Sequence, residues 1–225
     1  MAQGQRSSFL LIKPLETGLA TLLTNIAKVV GNYGVAIIIL TILVRLILLP
    51  LTLKQEKSMK KMRDIQPELD KLKEKYKDKP QEFQKATAEI YKEHNVNPLA
   101  GCLPLLIQMP IFIALYYVFS GTSIPSTETF LWFNLKQPDK LFMFGTFAIN
   151  LLPILNTVVT FLQQKMISNA SKGQETNTTM QSMMYTMPVL MLVLFYNMPS
   201  GVTLYYLISG ILSVAQQYFI MKGRN

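Results

Sequence analysis

Residues 34–53 read GVAIIILTILVRLILLPLTL, a run of twenty that is interrupted only by Thr41, Arg45 and Thr52 as polar side chains. Twenty helical residues rise about 30 Å, the thickness of a bilayer's hydrocarbon core. A helix that is apolar on every face has no side to offer to water, so it belongs in a large protein core or a membrane. Four more apolar runs follow, at 98–120, 141–162, 183–198 and 201–221, the fourth of them short. Five such runs in 225 residues leave too little amphipathic sequence to cover them as soluble core helices. The sequence therefore predicts an all-α integral membrane protein with five transmembrane helices.

Half of the residues are hydrophobic and the mean hydropathy is +0.26, yet Lys and Arg number 22 against 13 Asp and Glu. Twelve of the basic residues fall between Lys54 and Lys92. With five spans, the loops sharing a side with that block hold 16 basic residues and the opposite side 5. Basic loops stay in the cytosol, so the expected orientation has the N-terminus outside and the C-terminus cytosolic. The single Cys102 excludes an internal disulfide, and with the single His94 it leaves no Cys/His cluster for zinc. His94 borders the charged block and is expected to be solvated rather than catalytic. No GxxxxGK[ST] stretch is present for nucleotide. Neither enzymatic activity, nor a cofactor, nor a small-molecule substrate is expected.

The remaining segments take other roles. Residues 1–8 are polar and read as a leader or a trimmed edge. Over 9–32, Leu11, Leu15, Leu19, Leu22, Leu23 and Ile26 recur at helical spacing, with Glu16, Thr17, Thr21, Thr24 and Asn25 on other faces. This predicts an amphipathic helix in the outer interface, with Gly31 and Gly34 allowing the turn into the first span. Residues 54–97 predict a cytosolic helical hairpin. Met62, Ile65, Leu69, Leu72 and Tyr76 form one seam, Lys77 to Pro80 the turn, and Phe83, Ala86 and Ile90 the facing side. Pro67 should kink or delay the first arm. The outer loop 121–140 contains Trp132 and Phe133, rings suited to the membrane interface. Met180, Met183, Met184, Met187, Met191 and Met198 crowd the fourth run, as a flexible binding surface or as ordinary packing.

Arg45 is the residue these spans must accommodate. It stands eight residues before Leu53, about 12 Å of helix rise from the end of its run. A charge at that depth costs a few kcal/mol on insertion scales. The five spans contain no Asp or Glu, so an intramembrane salt bridge is excluded. Snorkelling to the headgroups, a packed hydrogen-bonded network and a water-filled groove all stay open, the groove being the preferred reading. Thr41 lies one turn earlier on the same face. Gln108, Asn150, Asn156, Gln163, Tyr205, Tyr206 and Gln216 are further lining candidates.

Thr41 to Arg45 with Leu49-Pro50-Leu51-Thr52, Met59 to Met62, Gln66-Pro67, Asn97-Pro98, Gly101 to Phe112 (GCLPLLIQMPIF), Pro199-Ser200-Gly201, Leu204-Tyr205-Tyr206 and Gln216-Gln217 together resemble the YidC/Oxa/Alb family of membrane protein insertases. The likeness runs from Leu10 to Met221, and the stretch Gly101 to Phe112 is its most specific part. It implies five core spans around a hydrophilic groove open to the cytosol and to lipid. Arg45 would be the groove arginine, Thr41 its neighbour, Tyr206 a substrate-facing aromatic, and Gln108, Asn156 and Gln163 further groove residues. It implies a bacterial inner-membrane insertase and chaperone for nascent membrane proteins, working in lipid, with the Sec translocon and the ribosome as partners. The family's longer basic tail for ribosome contact is almost absent after Lys222. Gram-negative relatives carry a further N-terminal span and a periplasmic domain, so a trimmed core or a naturally short member is expected. A channel or solute carrier and an assembly scaffold are the competing classes. A single buried cation and the absence of an internal repeat argue against a channel.

Overall fold

In the computed structural model, residues 2–77, 79–97, 103–122, 124–144, 147–169 and 178–222 are described. Helices α1 (Ala2–Val30), α2 (Tyr33–Asp64), α3 (Gln66–Lys75), α4 (Pro80–Glu93), α5 (Leu103–Ser120), α6 (Leu151–Asn169), α7 (Thr178–Tyr196) and α8 (Ser200–Lys222) make up most of them. Two small antiparallel hairpins lie between α5 and α6: β1 (Thr129–Phe130) with β2 (Phe133–Asn134), and β3 (Phe142–Phe144) with β4 (Phe147–Ile149). The run at 34–53 lies wholly in α2, which continues without a break into the charged block for about 48 Å. Among the described residues, α2 is the one helix long and apolar enough to cross a bilayer by that measure alone, over Tyr33–Met62. Shorter apolar helices cover Leu106–Ser120 and Thr186–Tyr196. Pro98 to Cys102 lie outside the described residues.

Two segments differ from the sequence expectation. The helix expected from 141 begins only at Leu151, because residues 142–144 and 147–149 pair as strands β3 and β4. Phe142, Phe144, Phe147 and Ile149 are aromatic or β-branched, which suits a strand as well as an apolar helix, and hydropathy does not separate the two. At the N-terminus, the polar residues set apart as a leader continue α1 from Ala2, since no strong breaker stands between them and Lys13.

Helix α2 packs on α8, α8 on α6 and α6 on α7, while α1 lies against α2 and α5. The contacts are not spread evenly along the helices. Ala36, Ile37, Leu40 and Thr41 at the start of α2 are buried, as are Ala114, Leu115, Val118 and Phe119 at the end of α5 and Ser200 to Tyr205 at the start of α8. Leu19, Leu23 and Ala27 of α1 cover this core from one side. Farther along, Ile42, Leu43, Leu46, Ile47 and Leu53 of α2, Leu106 and Met109 of α5, and Ile211, Tyr218 and Phe219 of α8 are exposed. One end of the bundle is therefore closely packed, and the end leading to the hairpin is open.

The segment 121–150 locks the packed end through its polar groups. Lys136 Nζ donates to the carbonyls of Gly121 (2.5 Å) and Ile124 (3.3 Å), placing a cation at the C-terminus of α5. Asp139 Oδ2 accepts the Leu152 N–H (2.8 Å), placing a carboxylate at the N-terminus of α6. Gln137 O accepts from Ser200 N (2.8 Å) and Oγ (2.6 Å), and Leu135 O accepts from Gly201 N (2.9 Å), so that α8 starts beneath this loop. Asn150 donates to Tyr196 O at the end of α7 (2.6 Å) and accepts from Lys140 N (3.1 Å). Two glycines make room for rings: a Cβ on Gly201 would meet the fully buried Phe119 ring, and one on Gly34 would meet the part-buried Phe130 ring.

The charged block forms its own small unit. Helix α2 ends at Asp64 and α3 begins two residues later with Pro67 in its first turn, where a missing N–H is harmless. Ile65, Leu69 and Val96 are buried against Met62, Ile90 and Tyr91. Leu72, Tyr76, Phe83 and Ala86, expected in the seam, are only half-buried. His94 pairs with Glu68 at 3.1 Å, and Asn95, at φ 51°, ends α4.

Two outcomes are expected. Gly201→Ala should lower stability by about 1–3 kcal/mol through overpacking, and Gly34→Ala by less because the Phe130 ring has room to swing; thermal unfolding in detergent compares them. Asp139 is buried, and one carboxylate oxygen, Oδ1, has no partner among the described residues. Burial pushes its carboxyl above the usual aspartate range, against the pull of its backbone hydrogen bonds and of the Trp132 side chain. The folded state then holds the proton more tightly than the unfolded one. Stability should be highest below the unfolded pKa of about 3.9 and fall as pH rises through the raised value. Asp139→Asn should flatten that part of the pH–Tm curve.

Candidate functional site

Arg45 lies where the packed end of the bundle gives way to the open end: Leu40 and Thr41 before it are buried, and Leu46 and Ile47 after it are exposed. Its guanidinium is held by α8. Nε donates to Ser209 Oγ (2.9 Å), one terminal nitrogen donates to Ser209 O (2.6 Å), and the same nitrogen donates to Ser213 Oγ. Ser213 in turn donates to Ser209 O (3.1 Å). Among the described residues the second terminal nitrogen makes no hydrogen bond. The described residues thus give the guanidinium neutral hydrogen-bond partners on α8.

Ser209 and Ser213 escaped the sequence reading, although a signal was present. Tyr206, Ser209, Ser213 and Gln216 are spaced by three, four and three, which places them on one face of a helix that is otherwise largely apolar. Gly210 beside them lets α6 come close, since a Cβ there would press on Val159.

The other candidates divide into two groups. Thr41 is fully buried and donates to Ile37 O of its own helix (2.6 Å), which satisfies its hydroxyl without reaching Arg45. Asn156 is buried with its amide nitrogen unpartnered, and the Gln108 amide nitrogen is likewise buried and unpartnered. The hydroxyls of Tyr205 and Tyr206 lie within reach of the Gln108 side chain. Tyr206 also joins an aromatic cluster, with ring centroids 5.7 Å from Phe112, 4.8 Å from Phe195 and 5.5 Å from Tyr205. Gln163 is half-buried on α6, two turns beyond Asn156 and on the same face. Asn150 leaves the candidate lining, since it ties the loop to α7; Tyr205, 1% exposed, stays beside it, its hydroxyl facing both Gln108 and the Arg45 charge. Met191 and Met198 pack against the core, whereas the side chains of Met180, Met183 and Met184 lie outside the described residues.

These groups define the chemistry available. Arginine keeps its charge and presents planar N–H donors, so it can receive a carboxylate but cannot relay protons. Among the described residues no group of three or more His, Cys, Asp or Glu is placed to hold a metal ion. The surface hollows along α1, lined by residues such as Lys13, Thr17 and Lys28, involve none of the candidate site residues.

The family described as 60Kd inner membrane protein matches residues 25–225. The membrane protein insertase YidC of Fusobacterium nucleatum is 50% identical over 208 residues, which cover 92% of this chain and 95% of that one. MisCA of Bacillus subtilis, also named a membrane protein insertase, is 41% identical, covering 91% of this chain and 76% of that one. The chain spans only about a third of longer relatives such as YidC of Prosthecochloris aestuarii, at 45% identity. A crystal structure of an active YidC insertase with its first transmembrane domain resolved superposes with a TM-score of 0.70 at 31% identity, over 92% of this chain and 46% of that one. With an arginine held inside an apolar bundle, a matching fold and a family match over nearly its whole length, the chain belongs to the 60Kd inner membrane protein family, the YidC/Oxa family of inner-membrane proteins.

Proposed function

We propose that this protein is a membrane protein insertase and chaperone, which inserts and helps fold nascent inner-membrane proteins through a hydrophilic groove, without hydrolysing nucleotide. The observation that carries the reading is Arg45, a permanent cation at the boundary between the sealed and the open ends of the bundle, tethered to serines of α8. The family and the names of its relatives support the activity.

Five spans enclose the groove in this reading, with α1 in the outer interface and the hairpin in the cytosol. Polar groups crossing dry hydrocarbon cost several kcal/mol each when unsatisfied. A groove reaching partway across the bilayer shortens that path. Its floor is the packed end, and its lining is Arg45, Thr41, Gln108, Asn156, Gln163 and Tyr206. The buried amide nitrogens of Gln108 and Asn156 support a groove that opens to water, because an unsatisfied donor costs roughly 1–3 kcal/mol and hydration relieves it. Arg45 receives an acidic residue of the client's hydrophilic tail on its unengaged nitrogen. The exposed apolar flanks of α2, α5 and α8 let the client's span leave into lipid, and burial of that span there drives the step. The hairpin exposes Lys71, Lys73, Lys75, Lys77 and Lys79, which suits the polyanionic surface of a translating ribosome. The Sec translocon is the second partner in this reading.

Liposomes carrying the purified chain and a single-span client with a short acidic N-terminal tail test the activity. Protease protection of the tail, without ATP, is expected with the wild type and not with empty liposomes; equal protection in both refutes the insertase. Arg45→Ala should reduce protection roughly tenfold, the worth of a charged hydrogen bond, with Arg45→Lys intermediate. The tether has a separate signature. The double substitution Ser209→Ala with Ser213→Ala should lower unfolding stability by roughly 2–3 kcal/mol while insertion of the acidic-tailed client persists. Loss of insertion at unchanged stability would instead make the serines client contacts.

A further inference from the structure

The β1–β2 hairpin carries a feature that the insertion reading leaves unused. Phe130 and Phe133 pair across it, so Leu131 and Trp132 alone form the turn. Two-residue hairpin turns favour Asn and Gly, because the backbone passes through positive φ. Leu131 adopts that conformation at φ 55°, although its side chain disfavours it. Leu131 is 73% exposed and Trp132 44%, the Trp132 side chain lying within hydrogen-bonding reach of the buried Asp139 carboxylate while the rest of its ring faces outward. The sequence pairs Trp132 with Phe133 as interface rings, whereas the fold buries Phe133 to 2% and sets Leu131 beside Trp132 instead.

The turn is rigidly mounted at the packed end of the bundle. The Phe130 ring lies over Gly34 of α2 and meets Phe133 edge-on at 5.9 Å, and Phe133 lies 5.3 Å from the Trp132 ring. Leu135, three residues beyond Trp132, accepts the Gly201 N–H in the first turn of α8. At about 3.3 Å per residue, Trp132 lies within roughly 10 Å of a helix end. The headgroup layer on each side of a bilayer is roughly 5–7 Å deep. Tyr116 and Tyr117 in the last turns of α5, and Phe142, are exposed in elements of this same end. Trp and Tyr gather at membrane–water interfaces because each joins an apolar ring to a hydrogen-bonding group.

We propose that the Leu131–Trp132 turn is a lipid anchor, seated at the headgroup–acyl boundary of the leaflet at the loop-covered end of the bundle. Leu131 enters the acyl layer and the Trp132 indole rests at its edge, which fixes the depth of that end. Phospholipid is the occupant because the turn is mounted on the helix ends of an inner-membrane protein that also exposes Tyr116 and Tyr117 at this end, and lipid surrounds such helices without any further partner. The strained Leu131 backbone then serves to present a side chain that water would not favour. This inference rests on membrane residence and is independent of the insertion activity.

Trp132 is the only tryptophan in the chain, so its fluorescence reports on the turn directly. The full chain would be reconstituted in phosphatidylcholine–phosphatidylglycerol vesicles doped with phospholipids brominated high or low on the acyl chain. Blue-shifted emission, strong quenching by the high-bromine lipid, weaker quenching by the low-bromine lipid and protection from aqueous iodide are expected. Quenching by iodide with none by either lipid overturns the proposal, and so does protection from all three, which would mean a protein contact. Leu131→Asp should lower the lipid quenching about twofold, and Leu131→Gly, which relieves the backbone but removes the apolar side chain, should lower it less, both at unchanged helicity. Equal lipid quenching in the Asp variant and the wild type would remove Leu131 from the anchor.

Discussion

A guanidinium within an apolar helix is the constraint on which the arrangement depends. Arg45 has no carboxylate within the apolar runs to pair with, and its charge persists at any pH the protein meets. The described structure meets this with α8, whose Ser209 and Ser213 supply two hydroxyls and a backbone carbonyl. Neutral partners engage part of its donors without neutralising the charge. The cation is therefore anchored in place while its field remains available, which a salt bridge would not permit.

That anchor relies on a bundle packed at one end only. Lys136, Asp139, Gln137 and Asn150 tie the segment between α5 and α6 to the ends of α5, α6, α7 and α8, each through a charge or dipole suited to the helix end it meets. Gly201 and Gly34 make room for Phe119 and Phe130 beneath this cover. With one end fixed, the helices can leave apolar side chains exposed toward the hairpin without losing their mutual register. A lateral exit for clients, as proposed, needs that asymmetry: a bundle packed along its whole length would have no lipid-accessible opening, and one loose at both ends would leak.

The parts that were legible in the sequence share a cause. Hydropathy, loop charge and helical spacing are local properties, so the run at 34–53, the charged block broken at Pro67, the apolar runs in α5, α7 and α8 and the isolation of Arg45 could all be read directly. The segment 141–149 was not legible in that way, because phenylalanine and isoleucine serve a short hairpin and an apolar helix alike, and a hydropathy window averages over both. Trp132 and Phe133 posed a similar difficulty: the turn ends between them, so Phe133 enters β2 and is buried while Trp132 stays exposed in the turn.

By itself the sequence determined that this chain is a helical membrane protein, that it buries one cation without a counter-ion, and that it resembles one insertase family, since those conclusions need only composition, order and motif. Only the tertiary structure decided that Ser209 and Ser213 hold Arg45, that Asn150 ties the segment before α6 to α7, and that Leu131 rather than Phe133 stands beside Trp132 at the surface. Each of these depends on which helix face meets which neighbour, a property of pairs of residues 46 to 168 apart or of strand register, and neither is encoded in any local window.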